Sequence, residues 1–177
     1  NKGLNVNINH LGEMVLGEEQ AEDYLQKIIN SIETLNCYAV SVKLSSLYSQ
    51  INPIHLSETQ DIIINRLRKI FEAALNYPYF NNKNQTQTKL IYLDMESYNE
   101  LHLTINCFTK ALSHPKFKSL KVGVCLQAYI PESFEIQKNL TEWALQRVKK
   151  GGAPIQIRLV KGANLGLERI NAQIEGW

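Results

Sequence analysis

The spacing of apolar residues switches repeatedly along the chain between short continuous or alternating runs and a three-to-four residue rhythm. Leu4 to Ile8 alternates apolar with polar, and from Glu18 to Leu35 the residues Ala21, Leu25, Ile28, Ile29 and Ile32 recur at helical spacing. Tyr38 to Leu44 predicts a second strand. Ser57 followed three residues later by Gln60 has the form of a capping box, ahead of a helix whose inner stripe is Ile63, Leu67, Ile70, Phe71 and Ala74. Asn76 to Lys89 is polar and rich in turn formers, which predicts a surface loop. Leu90 to Leu93 reads as a third strand, and a helix from about Asn99 to Leu112 stops before Pro115. Val122 to Leu126 is the fourth strand. Pro131 suits the first turn of the next helix and Gly151-Gly152 its end, just after Lys149 and Lys150, whose charges favour the carbonyl end of a helix dipole. Ile155 to Val160 is the fifth strand and Leu165 to Ile174 the fifth helix.

Five β-α units in succession require a parallel sheet with right-handed crossovers. Either an open doubly wound sheet or a (β/α)8 barrel meets that requirement. The first strand is not followed by G-x-G-x-x-G, and polar groups finish all five runs instead of gathering at one crevice. These ends are Leu11-Gly12-Glu13, Val42-Lys43-Leu44-Ser45, Tyr92-Leu93-Asp94-Met95-Glu96, Leu126-Gln127-Ala128-Tyr129 and Arg158-Leu159-Val160-Lys161-Gly162-Ala163. Carboxyl ends of parallel strands are where such folds build their sites. The expected fold is therefore α/β, a partial (β/α)8 TIM-type barrel of about five units. Because a full barrel takes eight strands and about 250 residues, residues 1–177 read as the N-terminal part of a longer domain, interrupted at Glu175-Gly176-Trp177. Open sheet edges, with apolar faces at Val40, Val42, Val124 and Ile157 expected to point inward without partners, predict self-association.

Composition narrows the function classes. The 177 residues are 44% hydrophobic and 20% charged with a net charge of +2, and no basic run exceeds Lys149-Lys150, so nothing calls for a nucleic acid. No apolar stretch approaches the roughly 20 residues of a membrane span. Cys37, Cys107 and Cys125 are odd in number and widely spaced, as reduced thiols in cytoplasm would be. The four histidines form no ligand-like pair, which argues against a metal site. Gln127 and Arg158 lie inside apolar runs, where an unpaired amide costs on the order of 2 to 7 kcal/mol. They face either a ligand or, for Arg158, a carboxylate on a neighbouring strand. Lys43 and Lys161 at strand ends also admit a Schiff-base aldolase or lyase, and a non-catalytic scaffold is a third reading.

The segments Ser41-Val42-Lys43-Leu44-Ser45, Leu93-Asp94-Met95-Glu96-Ser97, Gln127-Ala128-Tyr129 and Arg158-Leu159-Val160-Lys161-Gly162-Ala163, in this order and spacing, resemble the flavin-dependent proline dehydrogenase domain. The likeness is to the domain of bifunctional proline utilisation proteins, and it runs from Asn9-His10-Leu11-Gly12-Glu13 to the last helix. It implies an FAD enzyme that takes hydride from C5 of L-proline, gives Δ1-pyrroline-5-carboxylate and passes electrons to a quinone, with a pyrroline-carboxylate dehydrogenase on the same parent chain and cytoplasmic placement, peripheral at the inner membrane. By the same resemblance Arg158 lies near the flavin N5 and Gln127 bonds the ring's carbonyl edge, while Val160, Lys161, Gly162 and Ala163 line the cofactor. Lys43 meets the proline carboxylate, Asp94 lies beside flavin and substrate, and Glu13 steadies Lys43. Two departures stand out. Asn164-Leu165 occupies a place where many members carry an aromatic residue, and no segment matches the paired arginines of the family's last barrel helix, so weak FAD binding and little or no proline oxidation are expected of these residues alone.

Overall fold

The computed structural model describes residues 4–10, 15–51, 56–81, 83–95, 97–162 and 164–176. Its main sheet has five strands, β1 (Asn7–Asn9), β2 (Ala39–Lys43), β5 (Leu90–Asp94), β6 (Val122–Gln127) and β7 (Gln156–Val160), and a hairpin of β3 (Tyr79–Phe80) and β4 (Thr86–Gln87) stands apart. The main sheet runs β1-β2-β5-β6-β7, every neighbouring pair parallel. This order separates the two architectures left open by the sequence. A doubly wound sheet reverses direction at a switch point, whereas here each strand is laid beside its predecessor without reversal. With right-handed crossovers that winding puts all helices on one face, as in a barrel wall. The fold is α/β, a partial (β/α)8 barrel.

Helices α1 (Glu18–Thr34), α2 (Leu56–Asn76), α3 (Leu101–Leu112), α4 (Ser133–Lys149) and α5 (Leu165–Glu175) alternate with these strands. Glu18 and Glu19 occupy the first turn of α1, where carboxylates favour the N-terminal dipole. At its other end the buried Lys89 donates from Nζ to the carbonyls of Ile32 and Leu35, satisfying acceptors that the helix leaves open. Helix α4 stops at Gly151, which takes φ 78°, and its last turn is tied down by Arg147. That guanidinium donates to the carbonyls of Leu112, Phe117, Lys118, Leu120 and Ala153, so one side chain holds the α3–β6 and α4–β7 connections together.

The sheet has two unlike faces because successive side chains point to opposite sides. Val40, Val42, Ile91, Leu93, Val122 and Val124 point to the helices and are wholly buried with Leu25, Ile28, Ile32, Ile63, Leu67, Ile70, Phe71 and Phe108. On the opposite face, the inside of the barrel wall, lie Ser41, Lys43, Tyr92, Asp94, Gly123, Cys125, Gln127, Gln156 and Arg158. Burial fades along the chain: α1 to α3 each bury a full stripe, α4 buries only Ser133 and Leu140, and α5 buries none of its residues. Leu159, Leu167, Ile170 and Ile174 are exposed in the last unit. Among the described residues no helix is long and apolar enough to cross a membrane.

Several local expectations need correction. Val40, Val42, Val124 and Ile157 face the helices and not the barrel interior; the first three are fully buried and Ile157 packs against the same core. The first strand begins at Asn7, not Leu4, because pairing with β2 starts at Asn7 opposite Ala39. Helix α2 already includes Leu56, so Ser57 lies within its first turn. Gln60 bonds Lys110 through Oε1 at 2.7 Å instead of closing a capping box. Pro131 precedes α4 by two residues. The segment from Asn76 to Lys89 contains the β3–β4 hairpin. Its Asn81 accepts from the N–H groups of Lys83 and Gln85, and Asn36, far away in sequence, bonds both the N–H and the carbonyl of Phe80.

Candidate active site

On the inner face the strand ends bring four side chains into one row. Lys43 stands opposite Asp94 in the β2–β5 register, and Cys125 stands opposite Arg158 in the β6–β7 register. Arg158 donates from Nη2 to Asp94 Oδ1, two strands away, and from Nε to Cys125 Sγ at 2.8 Å. The thiol in turn donates to Asp94 Oδ1 at 3.3 Å. The carboxylate that meets Arg158 is therefore Asp94, and it comes not from the neighbouring strand β6, as expected, but from β5 beyond it. Burial first, and then the negative charge of Asp94, push the Cys125 thiol up to about 12. It is a neutral donor and acceptor at any physiological pH.

A second row lies beneath. Tyr92 pairs with Gly123, and Gly123 with Gln156. The tyrosine ring is laid across β6, because a Cβ on Gly123 would come within 2.2 Å of Tyr92 Cε1. Only glycine leaves room for it. The ring's hydroxyl then reaches Gln156 Oε1 at 2.5 Å, and the Arg158 guanidinium carbon stands 5.2 Å from the ring centroid, within cation–π range.

Above the charged row is the mouth. Gln127 closes β6 opposite Val160 and is buried. The Val160 carbonyl accepts from the Ala128 N–H at 2.7 Å, which ties the two strand ends together. Lys161 is exposed beyond them. Gly162 takes φ 101°, and a Cβ there would sit 1.8 Å from Tyr129 Cε1. The turn thus needs glycine for its backbone and for its neighbour alike. Helix α5 is fastened to the same end by Glu168, which accepts from the Tyr98 N–H at 2.8 Å. A mostly apolar cleft of about 360 Å³ opens there, lined by Tyr98, Tyr129, Ile130, Pro131, Leu165 and Ala172 together with Glu132, Glu168 and Arg169.

The structure therefore gathers Lys43, Asp94, Arg158 and Gln127 on one face of adjacent strand ends, with Val160, Lys161 and Gly162 at their rim. Glu13, its pairing with Lys43, and Ala163 lie outside the described residues. Sequence reasoning passed over Cys125, Tyr92 and Gln156. Each stands two residues before a predicted site residue on the same strand, Gln127, Asp94 and Arg158 respectively. The period of two places each pair on one face, and that was the available signal.

Comparison with known proteins bears on the family and the fold. The family model described as Proline dehydrogenase matches residues 1–177. Among solved structures the chain is similar to Proline Utilization A from Corynebacterium freiburgense, with 38% identity and a TM-score of 0.90, over 99% of this chain and 18% of that one. It is also similar to the Bdellovibrio bacteriovorus protein of the same name inactivated by N-propargylglycine, with 33% identity and a TM-score of 0.83, over 99% and 19% of the two chains. A Bradyrhizobium japonicum counterpart, at 20% identity and a TM-score of 0.81 over 96% and 17%, shares the fold. No curated protein matches the chain. The chain thus spans less than a fifth of the length of these structures, and it belongs to the proline dehydrogenase family.

Proposed function

We propose that this chain contributes the first five strand ends of an FAD-dependent site that oxidises L-proline to Δ1-pyrroline-5-carboxylate, the first step of proline breakdown to glutamate. The observation that carries the reading is the row of Lys43, Asp94, Cys125 and Arg158 beneath Gln127, on the polar face of a singly wound parallel sheet. The donor set suits a flavin. A buried amide at Gln127 and a guanidinium at Arg158 can bond the edge of a planar ring that becomes negative. The turn at Gly162, where even a Cβ would strike Tyr129, lets backbone come close to a bulky group. FAD, when bound, supplies the acceptor for the hydride that leaves C5 of proline. Arg158 offsets the charge that arrives with it, Lys43 donates to the substrate carboxylate as a charge-assisted partner, and Asp94 holds Arg158 in place. The protein's part is orientation and electrostatics.

The same reading takes residues 1–177 as the N-terminal part of the dehydrogenase barrel. It extends to a quinone as electron acceptor, a pyrroline-carboxylate dehydrogenase on the parent chain, and cytoplasmic placement with peripheral membrane contact. It also includes self-association across the β7 side, where the exposed Leu159, Leu167, Ile170 and Ile174 support it. Anaerobic absorbance titration with FAD and then L-proline tests the assignment. The expected result is weak flavin binding with little bleaching, reduced further in Arg158→Met. A carbonyl compound trapped by borohydride on Lys43 or Lys161, with no dependence on flavin, would replace this reading with a Schiff-base enzyme.

A further inference from the structure

We infer that Cys125 is a positioning residue for Arg158, holding its guanidinium plane in one orientation and leaving Nη1 as the nitrogen presented to a ligand. An arginine side chain has too many torsions to be oriented by a single contact, and Arg158 is partly exposed. Its Nε bonds Cys125 Sγ and its Nη2 bonds Asp94, while the Tyr92 ring underlies the group. Nη1 bonds no described residue. Two anchored nitrogens and a supporting ring define a plane; one anchored nitrogen would leave a pivot.

The position also demands a small side chain. Asp94 is on β5 and Arg158 on β7, so the guanidinium must pass over β6 at residue 125 to reach the carboxylate. A thiol is short enough to be crossed and, unlike valine or alanine, accepts from Nε while donating to Asp94. Cys125 is only 2% exposed, so it is a fixed post and not a mobile partner. Its thiol form suits this double role, since a thiolate could not donate to the carboxylate.

The consequence for chemistry rests on the proposed function, but the positioning itself can be tested without flavin. In ¹H–¹⁵N spectra of the folded chain the Arg158 Nε–H, assigned by its loss in Arg158→Met, should exchange slowly with water. Cys125→Val, close in size but unable to bond, should speed that exchange by roughly threefold to tenfold, the worth of one net hydrogen bond. Cys125→Ser should restore slow exchange. Unchanged exchange in Cys125→Val would overturn the inference. So would equal acceleration in the serine and valine variants, and if valine prevents folding, fast exchange in the serine variant alone decides against it. FAD titration of the same proteins is a separate readout. Exchange that follows the prediction while borohydride traps a carbonyl compound on Lys43 or Lys161 without dependence on flavin would retain the positioning role and discard the flavin reading.

Discussion

The two faces of the main sheet are built from the same strands yet obey different rules. Toward the helices, Val40, Val42, Ile91, Leu93, Val122 and Val124 are closed off from water and make one core with the stripes of α1 to α3. Toward the barrel interior, the residues between them include serine, lysine, tyrosine, aspartate, cysteine, glutamine and arginine, and hydrogen bonds across three strands tie Tyr92 to Gln156 and Asp94, Cys125 and Arg158 to one another. Stability therefore resides on one side of the wall and chemistry on the other. A substitution's effect should depend on the parity of its position more than on its distance from the strand end.

The largest effect is expected at Phe71→Ala. This fully buried ring packs edge-on against Phe117 at 5.5 Å between centroids, and its loss should destabilise the chain by about 3 to 5 kcal/mol, measured by urea unfolding. Gly123→Ala comes next and breaks the comparison from the other side. The added methyl must displace the Tyr92 ring, which should cost roughly 1 to 3 kcal/mol and move the ring from beneath Arg158, visible as changed tyrosine near-UV dichroism. Arg158→Met should change unfolding free energy by less than about 1 kcal/mol, since its pair with Asp94 is partly solvated, while further reducing the weak flavin binding. A loss as large as that of Phe71→Ala would show that the inner face also carries the fold.

The smallest effect is a dependence on pH. Partial burial of Glu18 works to raise its carboxyl, but bonds from Arg66 and Ser49 more than offset this and hold it below its ordinary 4.5. A depressed carboxyl contributes stability that is fully present above 4.5 and lost as pH falls through the lowered value. Because the group is largely exposed, about 0.5 kcal/mol is at stake. Thermal melts between neutral and acidic pH should show wild type losing slightly more than Glu18→Gln over that window. An identical acid response would remove this tie between α1 and α2 from the account.

Local pattern made much of this legible. Alternation of strand and helix periods located the main strands and helices of the described residues, and Lys43, Asp94, Gln127 and Arg158, picked out as polar strand endings, do share one face of the sheet. The need of a buried arginine for a carboxylate anticipated the kind of partner but put it on the neighbouring strand, whereas Asp94 lies one strand farther and Arg158 stays partly exposed. What escaped notice depended on contacts between distant segments. The β3–β4 hairpin is steadied by Asn36, and the first strand is shortened by the register that β2 imposes. The inward direction assigned to Val40 and Val42 followed from treating barrel interiors as apolar, whereas this interior is polar near its mouth. Cys125 read only as one of three reduced thiols, odd in number and widely spaced. Only its neighbours across the sheet reveal its bonds.

The unreversed strand order has a bearing on how the molecule is made. Since every strand of the main sheet lies beside the one synthesised before it, each β-α unit leaving the ribosome finds its docking edge already in place, and no finished strand pair has to open to admit a later one. Long-range strand pairing is ordinarily slow because distant segments must first meet. Here the search is repeatedly shortened to one crossover, and the rim of the growing sheet advances in the direction of translation.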